Sequence, residues 1–135
     1  MWIFTKYGFF SIACANKAES REIDPSVVMV RARLKKHLQN LQERFKDTKI
    51  AKLAIDSSAG TDYKYRIVMP KSEWVSALSE MATEQTWRNF KNEAGLFQRV
   101  HNLSSRYVDA LHEIWGVMHG LQVSEHNDAS IKRDR

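Results

Sequence analysis

The sequence predicts an α+β fold, a two-layer sandwich in which helices cover one face of an antiparallel sheet. Short segments rich in aromatic and β-branched residues come first, an amphipathic segment and two further strand-like segments follow, and helical spacing dominates the rest. Short strands segregated beside helices are typical of this class. A ferredoxin-like arrangement with an additional long C-terminal helix is the architecture that we expect.

The N-terminal region is predicted to form two strands joined by a bend. Residues 2–5 and 9–15 are rich in aromatic and β-branched side chains, and Gly8 interrupts them within Lys6-Tyr7-Gly8. Residues 16–26 are polar and end in Asp-Pro-Ser, which predicts a loop.

Alternation of side-chain character predicts a third strand at residues 27–33. Its apolar face carries Val28, Val30 and Ala32, and its other face carries Met29, Arg31 and Arg33. A helix follows, because Leu34, Leu38, Leu41 and Phe45 recur at helical spacing.

Residues 50–56 and 63–69 are predicted to be two strands joined by the turn-rich segment 57–62. In the second of these strands, one face is expected to carry Tyr63, Tyr65, Ile67 and Met69.

Helices are predicted near residues 72–82 and at 98–121, with a short helix or a helical turn at 86–96. The helix at 98–121 is indicated by Val100, Leu103, Tyr107, Leu111, Ile114, Met118 and Leu121. We therefore expect a single α+β domain over residues 1–122 and a polar tail over residues 123–135.

Composition excludes several classes of protein. No apolar run approaches the roughly 18–20 residues of a membrane helix, so no membrane association is predicted. Cys14 is the one cysteine, so an intramolecular disulfide is excluded and a cytoplasmic, reducing compartment is expected. Nucleotide-binding glycine loops and nucleophile elbows are absent from the sequence, and no catalytic residue, metal or cofactor is predicted.

Basic residues are concentrated in the first half of the chain, within a net charge of +5. Residues 1–69 contain thirteen Lys or Arg against seven Asp or Glu, whereas residues 70–135 contain eight against nine. Such a local field favours nucleic acid or an acidic protein as partner, and the alternative is a solvated face that keeps the protein soluble. The candidate binding residues are Lys6, Arg31, Arg33, Lys35, Lys36, Lys64, Arg66, Asn89 and Lys91.

A basic sheet face would result if the strands of Arg31 and Lys64 were neighbours facing the same way. Sheet-surface RNA readers also need exposed aromatic side chains on that face. Tyr63 and Tyr65 alternate with Lys64 and Arg66, so they are expected on the opposite face. This alternation argues against an RNA-recognition-motif surface.

Three histidines align on the predicted last helix. His101, His112 and His119 are 11 and 7 residues apart, which places them within roughly 20° around the axis but about 16 and 10 Å apart along it. These separations are too large for one metal ion. His112, Trp115 and His119 are candidates for lining a small pocket, the alternative being a core tryptophan with histidines at its wet rim.

The opening MWIFTKYGFFS resembles an uncharacterised family of small bacterial and phage proteins that begin MW-[apolar]-FT-x-x-GF-[FY]-S. VRARLKKHLQNL, DYKYRIVMP, WRNFK and YVDALHEIWGVMHGLQ extend the resemblance over nearly the whole chain. The resemblance implies a cytosolic single-domain protein and supplies no activity.

Two functions remain as hypotheses. The first is a non-enzymatic binding module that uses its basic half against an acidic partner. The second is a small ligand-binding domain or enzyme with a pocket between the sheet and the C-terminal helix. The oligomeric state, including a homodimer, stays open.

Overall fold

Five strands form one antiparallel sheet in the part of the chain that the structure describes. The computed structural model describes residues 1–58 and 60–133, with side chains as far as residue 125. The strands are β1 (Trp2–Thr5), β2 (Gly8–Asn16), β3 (Ile23–Ala32), β4 (Asp56–Ser57) and β5 (Tyr65–Pro70). They pair in the order β1-β2-β3-β5-β4, and the α+β class is confirmed.

Helices account for most of the remaining described residues. They are α1 (Lys35–Arg44), a short 3₁₀ helix (Lys49–Lys52), α2 (Lys71–Thr83), α3 (Phe90–Val100) and α4 (Arg106–Arg133). The chain divides into two compact units, Met1–Arg88 and Asn89–Arg135. The first unit contains the sheet with α1 and α2, and the second contains α3 and α4, which pack against each other.

Alternate positions of the three central strands build the core of the first unit, against α1 and α2. Its buried side chains include Phe10, Ile12, Val28, Val30, Ile67 and Met69 from the strands and Leu38, Leu41, Trp74 and Met81 from the helices. Each large apolar side chain contributes about 1.5–3 kcal/mol by leaving water. The predicted alternation of residues 27–33 is confirmed. The apolar stripe of the first helix is confirmed at Leu38, Leu41 and Phe45, whereas Leu34 is the N-cap residue and is exposed.

The bend between β1 and β2 depends on Thr5 and Gly8. Thr5 Oγ1 accepts hydrogen bonds from the backbone N–H groups of Tyr7 and Gly8, and donates to the Gly8 carbonyl at 3.0 Å. Gly8 has φ +152°, and a Cβ there would lie 2.3 Å from Cγ of His37. The bend therefore requires glycine for both backbone conformation and space.

His37 lies beneath this bend as a buried residue of α1. Burial lowers the pKa of its imidazole. Nδ1 of the ring accepts a hydrogen bond from the backbone N–H of Phe9 at 3.4 Å. A neutral ring suits this position, because only an unprotonated Nδ1 can accept that hydrogen bond.

Strand β3 begins within the segment predicted to be a loop at residues 16–26. Ile23 and Asp24 pair with the end of β2, and the register then shifts between Cys14 and Ala15. Asp24 Oδ1 accepts hydrogen bonds from the N–H and the hydroxyl group of Ser26, which closes the extra residues of β3 into a bulge. The polar composition of residues 16–26 predicts a loop and gives no indication of this pairing.

Residues 50–56 do not form the predicted strand; the 3₁₀ helix occupies the first three residues of the segment. Thr48 Oγ1 caps it by accepting from the Ile50 N–H at 3.2 Å. Gln42 Nε2 donates to the carbonyl oxygens of Ile50 and Leu53, which satisfies acceptors that a strand would use in the ladder. Pairing with β5 begins at Asp56. Residue 59 of the predicted turn lies outside the described residues.

The helix predicted over residues 98–121 is interrupted: its first three residues belong to α3, and α4 begins only at Arg106. Asn102 has φ +51° and its N–H donates to the Arg99 carbonyl, while the Leu103 N–H donates to the Gln98 carbonyl at 2.8 Å. This is a Schellman termination, and it stops α3 although apolar spacing continues through it. Helix α4 extends to Arg133, beyond the expected domain end at residue 122; residues 134–135 of the predicted tail lie outside the described residues.

The order of elements differs from the β-α-β-β-α-β order of a ferredoxin-like fold. Three strands come first and pair as consecutive neighbours, since the short connections after β1 and β2 permit antiparallel pairing without a crossover helix. Over the described residues, no helix combines the length and apolar character needed to cross a membrane.

Candidate functional site

The sheet has a second face, opposite the core, on which cross-strand pairing aligns side chains from β1 to β5. Trp2 is paired with Ser11, Ser11 with Arg31, and Arg31 with Arg66. Paired residues in antiparallel strands point to the same side of a sheet. These four residues therefore form one row across the sheet, which we call the cross-strand row.

Aromatic side chains lie beside the cross-strand row. Phe4 and Phe9 are stacked with ring centroids 4.6 Å apart, and Trp2 contacts Phe9 edge-on at 5.6 Å. The ring of Tyr63 lies 6.3 Å from that of Phe9. Trp2 is 68% exposed, so this aromatic cluster ends in an indole that is open to solvent.

Tyr63 is on this face, contrary to the expectation from alternation. It precedes β5, which begins at Tyr65, and the chain bends at residues 61–63. Strand alternation therefore does not apply to it, and its ring packs under two guanidinium groups. The Cζ atoms of Arg31 and Arg33 lie 5.0 and 4.8 Å from its ring centroid, within the range of cation–π interaction.

The guanidinium groups of Arg31, Arg33 and Arg66 are held by neutral oxygen acceptors. Arg31 Nη2 donates to Ser11 Oγ at 2.9 Å, Arg33 Nη1 to the Asp62 carbonyl at 3.1 Å, and Arg66 Nη2 to Thr61 Oγ1 at 3.0 Å. Among the described residues, none of the three arginines forms an ion pair.

Some basic groups elsewhere in the first unit do have carboxylate partners. Arg44 is paired with Glu80 at 3.4 Å and with Glu84 at 3.1 Å, and Lys49 lies 3.7 Å from Glu73. The guanidinium groups of Arg31, Arg33 and Arg66 have no carboxylate partner among the described residues, so their positive charge favours an anionic ligand.

A cleft of about 530 Å³ opens between these groups. It is lined by Trp2, Ser11, Arg31, Arg33, Thr61, Asp62, Tyr63 and Arg66. We call it the arginine cleft. Its volume falls within the roughly 300–1,000 Å³ of small-molecule sites.

Two buried donors at the arginine cleft have no hydrogen-bond partner in the part of the chain that the structure describes. They are the hydroxyl of Tyr63, a residue only 6% exposed, and Nε of Arg66. Buried polar atoms in folded proteins are nearly always hydrogen-bonded, so an unpaired donor needs an explanation such as an absent acceptor. Both donors belong to residues that line the same cleft.

The other basic residues predicted from the sequence lie elsewhere. Strands β3 and β5 are neighbours, but the residue opposite Arg31 is Arg66, and Lys64 instead lies over the Tyr65 ring at 5.7 Å. Three others in the first unit also do not line the arginine cleft: Lys35 and Lys36 are exposed in the first turn of α1, and Lys6 lies in the bend between β1 and β2 with its Nζ 5.0 Å from the Trp87 ring.

The second unit brings together four of the predicted residues. Lys91 Nζ lies 3.4 Å from His112 Nδ1 and 4.8 Å from the ring centroid of Trp115, which stacks on His119 at 5.1 Å. All of them lie on the surface of α3 and α4, and Trp115 is largely exposed rather than a core residue. Asn89 caps α3, since its Oδ1 accepts from the Asn92 N–H at 3.1 Å.

No group of three or more His, Cys, Asp or Glu side chains within the described residues has the geometry to hold a metal ion. Comparisons with protein-family models, with curated proteins and with solved structures each found no match to this chain. The chemistry of the arginine cleft and of the aromatic cluster is therefore the basis for a functional argument.

Proposed function

We propose that this protein binds single-stranded nucleic acid on the open face of its sheet. One observation carries the proposal: the exposed indole of Trp2 lies beside three arginines that have no ion pair among the described residues. Single-strand binding surfaces combine aromatic side chains that stack on bases with positive groups that follow the phosphates.

The aromatic cluster supports a single strand over a duplex. A base presents its π face for stacking only when it is unpaired or at an end, and Trp2 offers such a surface at the edge of the sheet. Phe9 contacts the indole edge-on, and Phe4 stacks on Phe9. An acidic protein would use the arginines but would gain little from an exposed indole.

Fluorescence anisotropy of a labelled single-stranded oligonucleotide, at low and at moderate salt, tests the proposal. Trp2→Ala removes one stacking surface and is expected to weaken binding by about fivefold to 150-fold, since stacking contributes about 1–3 kcal/mol per base. Trp2→Phe keeps an aromatic surface and should lose less.

Arg66→Gln tests the phosphate contact, and Lys35→Gln is its matched control, since it removes one positive charge from a residue that does not line the cleft. If Arg66 contacts a phosphate, its variant lowers the slope of log affinity against log salt by about 0.7, whereas the Lys35 variant leaves the slope nearly unchanged. Equal effects of the two variants would indicate a non-specific charge effect and contradict the proposal.

Two further results would count against it. One is the absence of binding to any strand at low salt. The other is equally tight binding of polyglutamate, which would assign the face to acidic proteins, the other partner that its charge permits.

A further inference from the structure

The arginine cleft has a charge that distinguishes between two kinds of phosphate. It is lined by three arginines and one carboxylate, that of Asp62, which leaves two net positive charges. An internal phosphodiester carries one negative charge, whereas a terminal phosphomonoester carries about 1.5–2 at pH 7. The cleft therefore balances a terminal phosphate more closely than an internal one.

Its unpaired donors support the same ligand. The Tyr63 hydroxyl and Arg66 Nε are buried without acceptors among the described residues, and both belong to the lining. A terminal phosphate offers three strong acceptor oxygens. Because both donors are buried, an oxygen reaches them only when a covering side chain moves, and the exposed Arg33 is one side chain that lies over the Tyr63 ring.

The volume of the cleft and the position of Trp2 at its side also fit the end of a nucleic-acid strand. A volume of about 530 Å³ accommodates a nucleotide rather than a bare phosphate ion. Trp2 lines one side of the cleft and belongs to the edge strand β1. A base attached to a phosphate among the arginines would have the indole within reach.

We infer that the arginine cleft is a subsite for the phosphorylated end of the bound strand, with Arg31, Arg33 and Arg66 around the terminal phosphate and Trp2 against the terminal base. This inference rests on the proposed function and names the part of the strand that the site recognises. Asp56, paired with Arg66 across β4 and β5, adds negative charge to the same face and disfavours a continuous track of phosphates beyond the cleft.

The experiment compares one oligonucleotide sequence in three forms: with a 5′-phosphate, with a 3′-phosphate and with hydroxyl groups at both ends. An internal fluorophore leaves both ends free. We expect one phosphorylated form to bind about tenfold more tightly than the hydroxyl form, as charge-assisted hydrogen bonds to the added group require. Inorganic phosphate should compete with that form more strongly than with the hydroxyl form.

Tyr63→Phe and Arg66→Gln are expected to reduce the advantage to less than about twofold, and Lys35→Gln to leave it in place. Circular dichroism of each variant verifies that it is folded, and Tyr63→Phe removes only the hydroxyl group. If all three strand forms bind equally well, the terminal subsite is refuted and the proposed function stands. If no form binds, both are refuted.

Discussion

Replacing Gly8 by alanine is expected to destabilise the first unit strongly. The backbone of this residue has φ +152°, a conformation that residues other than glycine rarely adopt. A Cβ would also meet three atoms of His37, at 2.3, 2.5 and 2.7 Å. His37 is buried, so its ring has little room to move away.

The expected cost has two parts. Backbone strain at an unfavourable φ contributes about 1–3 kcal/mol. Forcing an extra methyl group into a well-packed site contributes about 1–3 kcal/mol more. We therefore expect Gly8→Ala to lower the free energy of unfolding by about 2–6 kcal/mol.

Urea denaturation followed by far-ultraviolet circular dichroism measures this loss, and Gly60→Ala separates its two parts. Gly60 has φ +89°, and among the described residues nothing lies within 4 Å of the position that its Cβ would take. Its variant should therefore lose only the strain part, about 1–3 kcal/mol. Gly8→Ala should also cost less free energy of unfolding in a His37→Ala background than in the unchanged protein, because the side chain that the new methyl group meets has then been removed.

Two results would refute this reasoning. If the free energy of unfolding of Gly8→Ala is within about 0.5 kcal/mol of that of the unchanged protein, the bend does not need glycine. If Gly8→Ala costs the same with and without the His37 side chain, the contact is not the source of the loss.

Two further changes test other parts of the chain. Burial and the hydrogen bonds to Glu84, at 2.8 and 3.0 Å, raise the pKa of Tyr7. The raised pKa stabilises the fold fully below about pH 10, and this contribution is lost as the pH rises further. Tyr7→Phe should therefore be less stable than the unchanged protein at pH 8, by a margin that narrows above pH 10 in urea titrations; a constant margin would contradict the assignment. Asn102→Gly should stabilise the end of α3 by up to about 1 kcal/mol and Asn102→Val should destabilise it, because the position requires a left-handed backbone; equal stability of the two variants would contradict this.

Local periodicity is sufficient to predict burial where the secondary structure of a single segment determines which side chains face the core. Burial alternates along residues 27–33: Val28, Val30 and Ala32 are buried, whereas Arg31 lies on the open face. The helix that follows was predicted from its apolar stripe, and Leu38 and Leu41 are fully buried. These features depend on side chains one or two turns apart, which a sequence displays directly.

Features that depend on local hydrogen bonds were not predictable from periodicity. Apolar spacing continues from Val100 to Leu103, yet the backbone turns at Asn102 because two N–H groups close onto the carbonyls of α3. Asparagine followed by Leu-Ser-Ser was the available signal, since asparagine is the residue other than glycine that most readily ends a helix in this way. Residues 50–56 were similarly misassigned, because the cap by Thr48 outweighs their apolar character.

The candidate site was found only in part for a related reason. Arg31, Arg33 and Arg66 were named from the sequence, but the aromatic side chains beside them come from the first two strands and from Tyr63. The face on which Tyr63 lies depends on where β5 begins. The sequence predicts a strand from residue 63, but β5 begins at Tyr65, so the alternation of the strand does not apply to Tyr63. The location of Trp2 beside the arginines depends on the pairing of β1 with β2, which the sequence of one segment alone does not show.

That pairing connects the glycine bend with the proposed binding face. The bend fixes Thr5 opposite Gly8, and the register then places Trp2 opposite Ser11 and Phe4 opposite Phe9. A slip by one residue would turn every side chain of β1 to the other face and would direct Trp2 toward the helices. The close fit of Gly8 on His37 therefore does more than stabilise the hairpin, because it also determines that the indole lies beside the arginines. A variant of this bend that remained folded but shifted in register would lose strand binding together with the stacking of Phe4 on Phe9.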